Sequence, residues 1–305
     1  MTDATVMIST RDRCSEVSRA VRSALAQTVP VEVIVTDDGS SDGTAAHLER
    51  EFPSVRVIRE ETSKGSLVQR NAMALLATGS VLISLDDDAE LPSPRTVEQV
   101  LAEFDHPRIA AVGIPFTDAP RPARLEHYAP PSDGHVLTSY FLGCCAALRR
   151  DCFNAVGGYD TTLRHSGEEP DMSLRWFARG WVVALGRSDL AIHHVSSARQ
   201  HEFGVQYATR AEWRNVLRHV PARALPAQLG RLGGVAGGRS VVRRHPRAVA
   251  AGVADALRDR PAREPLEPEV YALWLQLERE RRRGAPVTTL EELDARLPPL
   301  GSMPG

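Results

Sequence analysis

Three consecutive carboxylates, Asp86-Asp87-Asp88, follow the apolar run Val81-Leu82-Ile83-Ser84-Leu85. The run has the length of a strand and is apolar on both faces, which reads as a strand buried in a sheet. Three adjacent aspartates repel one another unless a cation sits among them. Oxygen donors suit a hard divalent ion such as Mg²⁺ or Mn²⁺. The carboxyl ends of strands are also where open α/β sheets bind ligands. The stretch therefore proposes a site for a divalent metal and an anionic ligand. Taken alone, it is also compatible with a solvated acidic turn.

Other residues of the right chemistry lie elsewhere. Asp37-Asp38-Gly39-Ser40-Ser41-Asp42-Gly43 is a dense turn signal. The Asp38 carboxylate can accept from the ring N–H of uracil or thymine, or serve as a helix cap or Asx turn. The Arg70 guanidinium suits a diphosphate or a base edge, and equally a solvated helix face. Lys64-Gly65 precedes it as a loop able to close over a ligand. Gly157-Gly158 is a backbone-permissive turn that lets a ligand come close. Glu168 and Glu169 precede Pro170, which fits the first position of a helix over 170–179. Acids there are electrostatically favoured with or without a catalytic role.

The elements that would position these groups alternate. Residues 5–9, 31–35, 55–58, 81–85 and 109–114 read as strands. Helices are expected over about 15–27, from the aspartate-rich turn to about residue 52, over 67–77, and after Ser93-Pro94. There Ser93 reads as the N-cap and Pro94 as the first helical residue. Such alternation means a largely parallel sheet with helices on both faces. Residues 115–131, with five prolines, read as an irregular segment across the sheet mouth. Residues 141–148 then read as a buried strand, 151–155 as a short helix and 181–185 as a strand. The loop Ser9-Thr10-Arg11-Asp12-Arg13 lacks Gly-x-Gly-x-x-Gly, which argues against a dehydrogenase-type dinucleotide site. No Gly-x-x-x-x-Gly-Lys-Ser/Thr phosphate loop occurs either.

Composition narrows the class. The 305 residues carry 42% hydrophobic and 25% charged side chains, ordinary for a globular protein. A net charge of −2 gives no global attraction to nucleic acid. Cys14, Cys144, Cys145 and Cys152 lack metal-finger spacing, and adjacent Cys144-Cys145 would make a poor disulfide. They read as reduced thiols of a cytoplasmic protein. The start Met1-Thr2-Asp3-Ala4 does not read as a signal peptide. No apolar stretch approaches the roughly 20 residues of a membrane span.

Five segments, in order, carry a resemblance. They are Val6-Met7-Ile8-Ser9-Thr10-Arg11-Asp12-Arg13, Val33-Ile34-Val35-Thr36-Asp37-Asp38-Gly39-Ser40-Ser41-Asp42-Gly43-Thr44, Arg70-Asn71-Ala72, and Leu85-Asp86-Asp87-Asp88. The last is Gly157-Gly158-Tyr159-Asp160 followed by Gly167-Glu168-Glu169-Pro170-Asp171-Met172-Ser173-Leu174-Arg175. Over roughly residues 4–220 the chain resembles inverting family 2 glycosyltransferases of the GT-A fold. Each motif alone is weak; all five in order are specific.

The resemblance implies roles. Thr10 and Arg11 would cradle the nucleotide, with Arg11 standing where a tyrosine or neutral residue is commoner. Asp38 would read the base, and Lys64, Arg70, Asp86 and Asp87 would complete the nucleotide-binding set, Asp86 facing the ribose. Asp88 would hold a metal that bridges both phosphates and stabilises the leaving nucleoside diphosphate. A histidine near 193–194 is a further metal ligand in the family; His194, with small polar residues after it, is favoured. The acidic pair would end in the general base, usually aspartate. Glu169 falls on that position, with Glu168 as its rival and Asp171 a weaker one. Gly158, Tyr159 and Asp171 fall on the acceptor side.

The expectation is thus an α/β protein of GT-A type, Rossmann-like, with a mostly parallel central sheet. A catalytic domain spans 1–220 and a helical, Arg-rich extension spans 221–305. It would transfer a sugar from a UDP- or dTDP-sugar to a hydroxyl of a glycan, lipid-linked or natural-product acceptor, with Mn²⁺ or Mg²⁺. Residues 221–262 are arginine-rich. That composition fits peripheral contact with anionic lipid at the inner face of the membrane, a homo-oligomer contact, or a plain solvated appendage. A charged helix over 267–283 and a loose tail over 298–305 close the chain. The rivals are a sugar nucleotidyltransferase and a non-catalytic nucleotide-sugar binding protein. The first would want a glycine-rich, basic loop after the first strand; the retained carboxylates argue against the second.

Overall fold

The computed structural model describes residues 3–119, 121–163, 166–194, 201–242 and 245–301. In chain order the first half holds β1 (Ala4–Thr10), α1 (Cys14–Leu25), β2 (Val31–Asp37), α2 (Thr44–Glu51), β3 (Arg56–Arg59), α3 (Ser66–Leu76), β4 (Val81–Leu85), β5 (Ala89–Glu90), α4 (Thr96–Ala102) and β6 (Ile109–Gly113). Then come β7 (Phe116–Asp118), β8 (Arg121–Glu126), β9 (Leu137–Thr138), β10 (Cys145–Arg149), α5 (Arg150–Ala155), α6 (Glu168–Phe177), β11 (Val182–Leu185) and β12 (Ala191–His193). The C-terminal part is helical: α7 (His201–His219), α8 (Leu225–Val242), α9 (Pro246–Arg258), α10 (Pro268–Arg283) and α11 (Leu290–Leu293).

The main sheet runs β3-β2-β1-β4-β10-β6-β11-β9. Its first four strands are parallel, as expected. β10 is antiparallel to both β4 and β6. β4 is therefore central, and all five of its residues are buried, which is why it is apolar on both faces. The carboxyl ends of β1, β2 and β4 meet at one edge. Because β10 runs the other way, its start joins them, with Cys145 opposite Leu85. A second sheet, β5-β12-β7-β8, lies over that edge and sets His193 opposite both Ala89 and Asp118.

Several local expectations are corrected. α4 starts only at Thr96, behind Arg95; the Ser93 hydroxyl donates to Asp189 and accepts from Arg95 N–H at 3.3 Å, in the turn ahead of the helix. α6 opens at Glu168 behind Gly167, so Pro170 is its third residue, where a missing N–H still costs nothing. The strand expected over 141–148 begins at Cys145. The proline-rich segment contains β7 and β8 instead of being irregular throughout, though Pro120 lies outside the described residues. The tail is anchored as far as residue 301: Arg108 donates to the Pro298 carbonyl and Gly301 N–H to that of Arg179. Residues 302–305 lie outside the described residues.

The C-terminal helices continue the core. Leu273 and Leu277 of α10, Leu290 and Leu293 of α11, and Leu297 share one apolar cluster with Val6, Ile83, Val112 and Val182 of the sheet. Each such side chain contributes about 1.5–3 kcal/mol by leaving water. α7 packs against α6 and α9, and so extends the same body.

Candidate active site

Of the three aspartates after β4, Asp86 pairs with one arginine and Asp87 and Asp88 share another. Asp86 forms an ion pair with Arg70 of α3. Asp87 accepts from the Thr10 hydroxyl at 2.8 Å and from Arg13 Nη1 at 2.9 Å, which ties it to the end of β1. Burial pushes its carboxyl up to about 6, against the pull of Arg13 and Thr10. Asp88 accepts from Arg13 Nη1 at 3.1 Å through Oδ2, while its Oδ1 lies 3.3 Å from His193 Nε2. His193 Nδ1 is 2.9 Å from Asp118 Oδ1. Burial opposes a charge on this ring, but the hydrogen bonds to Asp88 and Asp118 outweigh it and raise its pKa.

Asp86, Asp88 and His193 bring one ligand atom each to within 4.8 Å of one another. Two carboxylates and an imidazole suit Mn²⁺ or Mg²⁺. The Asp118 contact leaves Nε2 as the ring atom facing the site, the usual outer support of a metal-bound histidine. The residues thus fit a divalent metal. His193, and not the favoured His194, joins the aspartates; His194 turns to Glu90 at 2.9 Å. Strand alternation carried that signal, since Ala191 and His193 are buried on one face of β12 and Ile192 is not. Val195, Ser196 and Ser197 lie outside the described residues. Asp118 was missed because it lies in the proline-rich segment, where no spacing announces a partner.

Asp38 follows β2 and is buried. Its two oxygens accept from the Ser63 hydroxyl at 2.5 Å, Lys64 N–H at 2.8 Å, Gly65 N–H at 3.0 Å and Gln69 Nε2 at 2.6 Å. Burial alone would raise its pKa, but these four donors hold it below the usual carboxylate range. Asp38 therefore pins the loop before α3. Lys64 contributes its backbone there, and its ammonium pairs with Glu60 at 2.5 Å. Arg11 is exposed and, among the described residues, pairs with Asp12 at 3.7 Å. It is Arg13, quoted in the motif without a role, that enters the site.

On the other side of Arg70 stands the acidic pair. Gly167 takes φ +86° ahead of α6, and a Cβ there would strike Ala211 of α7, so glycine is required. Glu169 Oε1 accepts from Gly143 N–H at 3.1 Å, and Glu168 Oε1 lies 4.0 Å from Arg70 Nη1. Glu168 Oε2 and the Tyr159 hydroxyl are buried with no hydrogen-bond partner among the described residues. Burial, and then the charge of Glu168, push the Glu169 carboxyl well above the usual range. Tyr159 is held through its backbone. Asn71 accepts from its N–H at 2.8 Å and donates to its carbonyl at 2.9 Å. At Gly158, φ +71°, a Cβ would meet Asn71 Oδ1 at 2.6 Å.

Asp171 does not face this site. It bonds His219 Nε2 at 2.8 Å, Arg175 Nε at 2.8 Å and Arg218 Nη1 at 3.3 Å. It braces α6 against the end of α7, and its assignment to the acceptor side is corrected accordingly. The site therefore has one half from the ends of β1, β2 and β4 and an acidic half from α6, with Arg70 between them.

The sequence profile of glycosyl transferase family 2 matches residues 5–157. The succinoglycan biosynthesis protein ExoU of Rhizobium meliloti is 30% identical over 201 residues, which is 59% of this chain and 58% of that protein. The chain spans 25%, 58% and 19% of the lengths of the first three curated relatives it matches. Among solved structures, the mannosyltransferase PcManGT of Pyrobaculum calidifontis, in complex with GDP-Man and Mn²⁺, superposes with a TM-score of 0.58 at 17% identity. It covers 90% of this chain and 79% of its own. TarS residues 1–349 of S. aureus, in complex with UDP-GlcNAc, gives 0.58 at 16% identity, covering 93% and 92%. At such identities the likeness is one of fold, the GT-A type expected above. With the matched profile spanning β1 to α5, the chain belongs to glycosyl transferase family 2.

Proposed function

We propose that the chain transfers a sugar from a UDP- or dTDP-sugar to an acceptor hydroxyl with inversion at the anomeric carbon. One observation carries this reading: Arg70 stands between Asp86 and an acidic pair made of buried Glu168 and half-buried Glu169. A metal-ligand cluster and a high-pKa carboxylate thus lie on either side of one guanidinium. Asp86, Asp88 and His193 would hold the divalent ion, which when bound supplies positive charge to the donor diphosphate.

The chain's own groups do the rest. Glu169 takes the proton from the acceptor hydroxyl; a carboxyl with a raised pKa is a stronger base, closer to working pH. The acceptor oxygen bonds to the anomeric carbon from the face opposite the diphosphate. The bond from that carbon to the diphosphate oxygen breaks, and the nucleoside diphosphate leaves with the electron pair. Arg70 neutralises charge between the two halves. Asp38 orders the Ser63–Gly65 loop, and the ring N–H of uracil or thymine would replace one of its donors.

The exposed arginines Arg223, Arg231, Arg247 and Arg258 favour a cytoplasmic chain that rests against anionic lipid. Among the described residues no helix is long and apolar enough to cross a membrane. The test of the transfer reading is nucleoside diphosphate release across UDP-, dTDP- and GDP-sugars with Mn²⁺. Turnover of a UDP- or dTDP-sugar is expected; silence with every donor, or release of pyrophosphate, contradicts it.

A further inference from the structure

A cavity of about 290 Å³ lies among α6, α7, α8 and α10. That is near the lower end of ligand pockets, which start at about 300 Å³. Its floor is apolar and buried: Leu174, Val216, Val220, Leu232 and Tyr271. Trp274 and Leu275 line it half-buried. Three arginines, Arg231, Arg279 and Arg282, also line it and are exposed, so its edge is cationic. The carboxylates of the lining are Glu212 and Glu278, and Glu278 is already engaged by Arg281, Arg282 and the Ser139 hydroxyl.

The cavity adjoins the acidic half of the site. Gly167 and Pro170 are part of its wall, and between them in the chain stand Glu168 and Glu169. Its outer wall is unusual. α8 supplies Gln228, Arg231 and Leu232, and also carries Gly230, Gly233, Gly234, Gly237 and Gly238. A Cβ at any of these five would meet nothing, so packing does not demand glycine there. Each weakens the helix relative to alanine, because glycine loses more backbone freedom on folding. The wall over the cavity is therefore one the fold holds weakly and can displace.

A soluble glycan finds little to bond on a floor of buried aliphatic side chains. An apolar chain fits it, and guanidinium forks at the mouth match phosphate. We infer that this cavity takes the apolar chain of an acceptor whose sugar is joined to that chain through phosphate, with Arg231 and Arg279 receiving the phosphate. This rests on the reading of Glu169 as the base, since that fixes which half of the site the acceptor enters.

The probes are dodecyl phosphate below its micelle concentration, uncharged dodecyl glucoside and inorganic phosphate, each titrated calorimetrically into the full chain. Saturable binding of dodecyl phosphate, tighter than that of the other two, is expected. Leu275→Trp, which fills the cavity, should weaken it about tenfold or more, the scale on which apolar pockets discriminate size. Because a filled cavity can disturb folding, the exposed double change Arg231→Gln with Arg279→Gln gives a second test. It should weaken dodecyl phosphate severalfold and leave dodecyl glucoside unchanged. Equal binding by both variants and the parent overturns the proposal. Glucoside bound as tightly as the alkyl phosphate overturns its phosphate half, and inorganic phosphate alone overturns the chain half. UDP titrated with Mn²⁺ into the same parent sample separates the two readings. Loss of nucleotide binding with dodecyl phosphate binding intact contradicts the donor site and not the cavity.

Discussion

Asp118 Oδ1 lies 2.9 Å from His193 Nδ1, across the register that pairs β12 with β7. The contact orients the ring, so that Nε2 faces Asp88. A carboxylate behind a metal-bound histidine typically sustains about 10–100-fold in metal affinity. Asp118→Asn should therefore weaken Mn²⁺ binding by that order, and His193→Ala by more. His194→Ala should matter little, because its ring turns to Glu90. Mn²⁺ titration by electron paramagnetic resonance distinguishes them. A His194 variant weaker than the His193 variant would contradict the assignment, as would full turnover in excess chelator.

Asp171 is a prediction about stability. Burial alone would raise its pKa, but His219, Arg175 and Arg218 hold the folded value at about 2, against roughly 3.9 when unfolded. The sign follows: its contribution is complete above about pH 4 and is lost as pH falls toward 2. A shift of this size corresponds to about 2–3 kcal/mol. Asp171→Asn should lose at least that much at neutral pH, because it strands two arginines and a histidine, and should leave nucleotide binding nearly unchanged. Denaturant unfolding at pH 7 and pH 3 checks it. A variant as stable as the parent at pH 7 would contradict the bracing role.

With Glu169 as the proposed base, the pH dependence of turnover should report its titration. Its carboxyl is pushed up to about 8, by burial and then by Glu168. The base must be unprotonated, so kcat/KM should rise with pH through neutrality and level off above that value. Glu168→Gln removes the neighbouring charge and should move the rising limb to lower pH. A limb near pH 4–5, where ordinary carboxylates titrate, would place the catalytic proton elsewhere.

The sequence disclosed what is local. Parallel β1 to β4 and the aspartates after β4 follow from apolar runs and turn residues that are contiguous in the chain. It did not disclose pairings between distant segments. β10 enters the sheet against β4 although about 60 residues separate them, and nothing in Cys145-Ala146-Ala147-Leu148-Arg149 announces its direction. Asp118 meets His193 from the proline-rich segment for the same reason. Asp171 misled because its helix position matches a carboxylate in the motif, while its side chain answers to Arg218 and His219, which lie some 47 residues downstream.

The C-terminal helices bear on folding. Leu273, Leu277, Leu290 and Leu293 share the apolar cluster of the sheet. Deletion from residue 264 onward should abolish cooperative unfolding, since several buried leucines are lost at about 2–5 kcal/mol each. Neutralising Arg223, Arg247 and Arg258, which are exposed, should keep the fold and reduce salt-sensitive binding to anionic vesicles. A cooperative melt after the deletion would contradict the shared core. Unchanged vesicle binding by the arginine variant, or none by the parent, would count against the lipid contact.

The central claim is that Glu169 is the base. Glu169→Gln keeps the size and can still accept from Gly143 N–H, but cannot take a proton. Loss of a general base costs about 10²–10⁴-fold in rate, or roughly 3–5 kcal/mol. The decisive measurement is single-turnover sugar transfer by Glu169→Gln, using the donor and acceptor pair that the parent turns over, with nucleotide affinity measured beside it. The account predicts a fall of that size with nearly normal nucleotide affinity, and a milder effect of Glu168→Gln. A Glu169→Gln enzyme that keeps most of its single-turnover rate would contradict it.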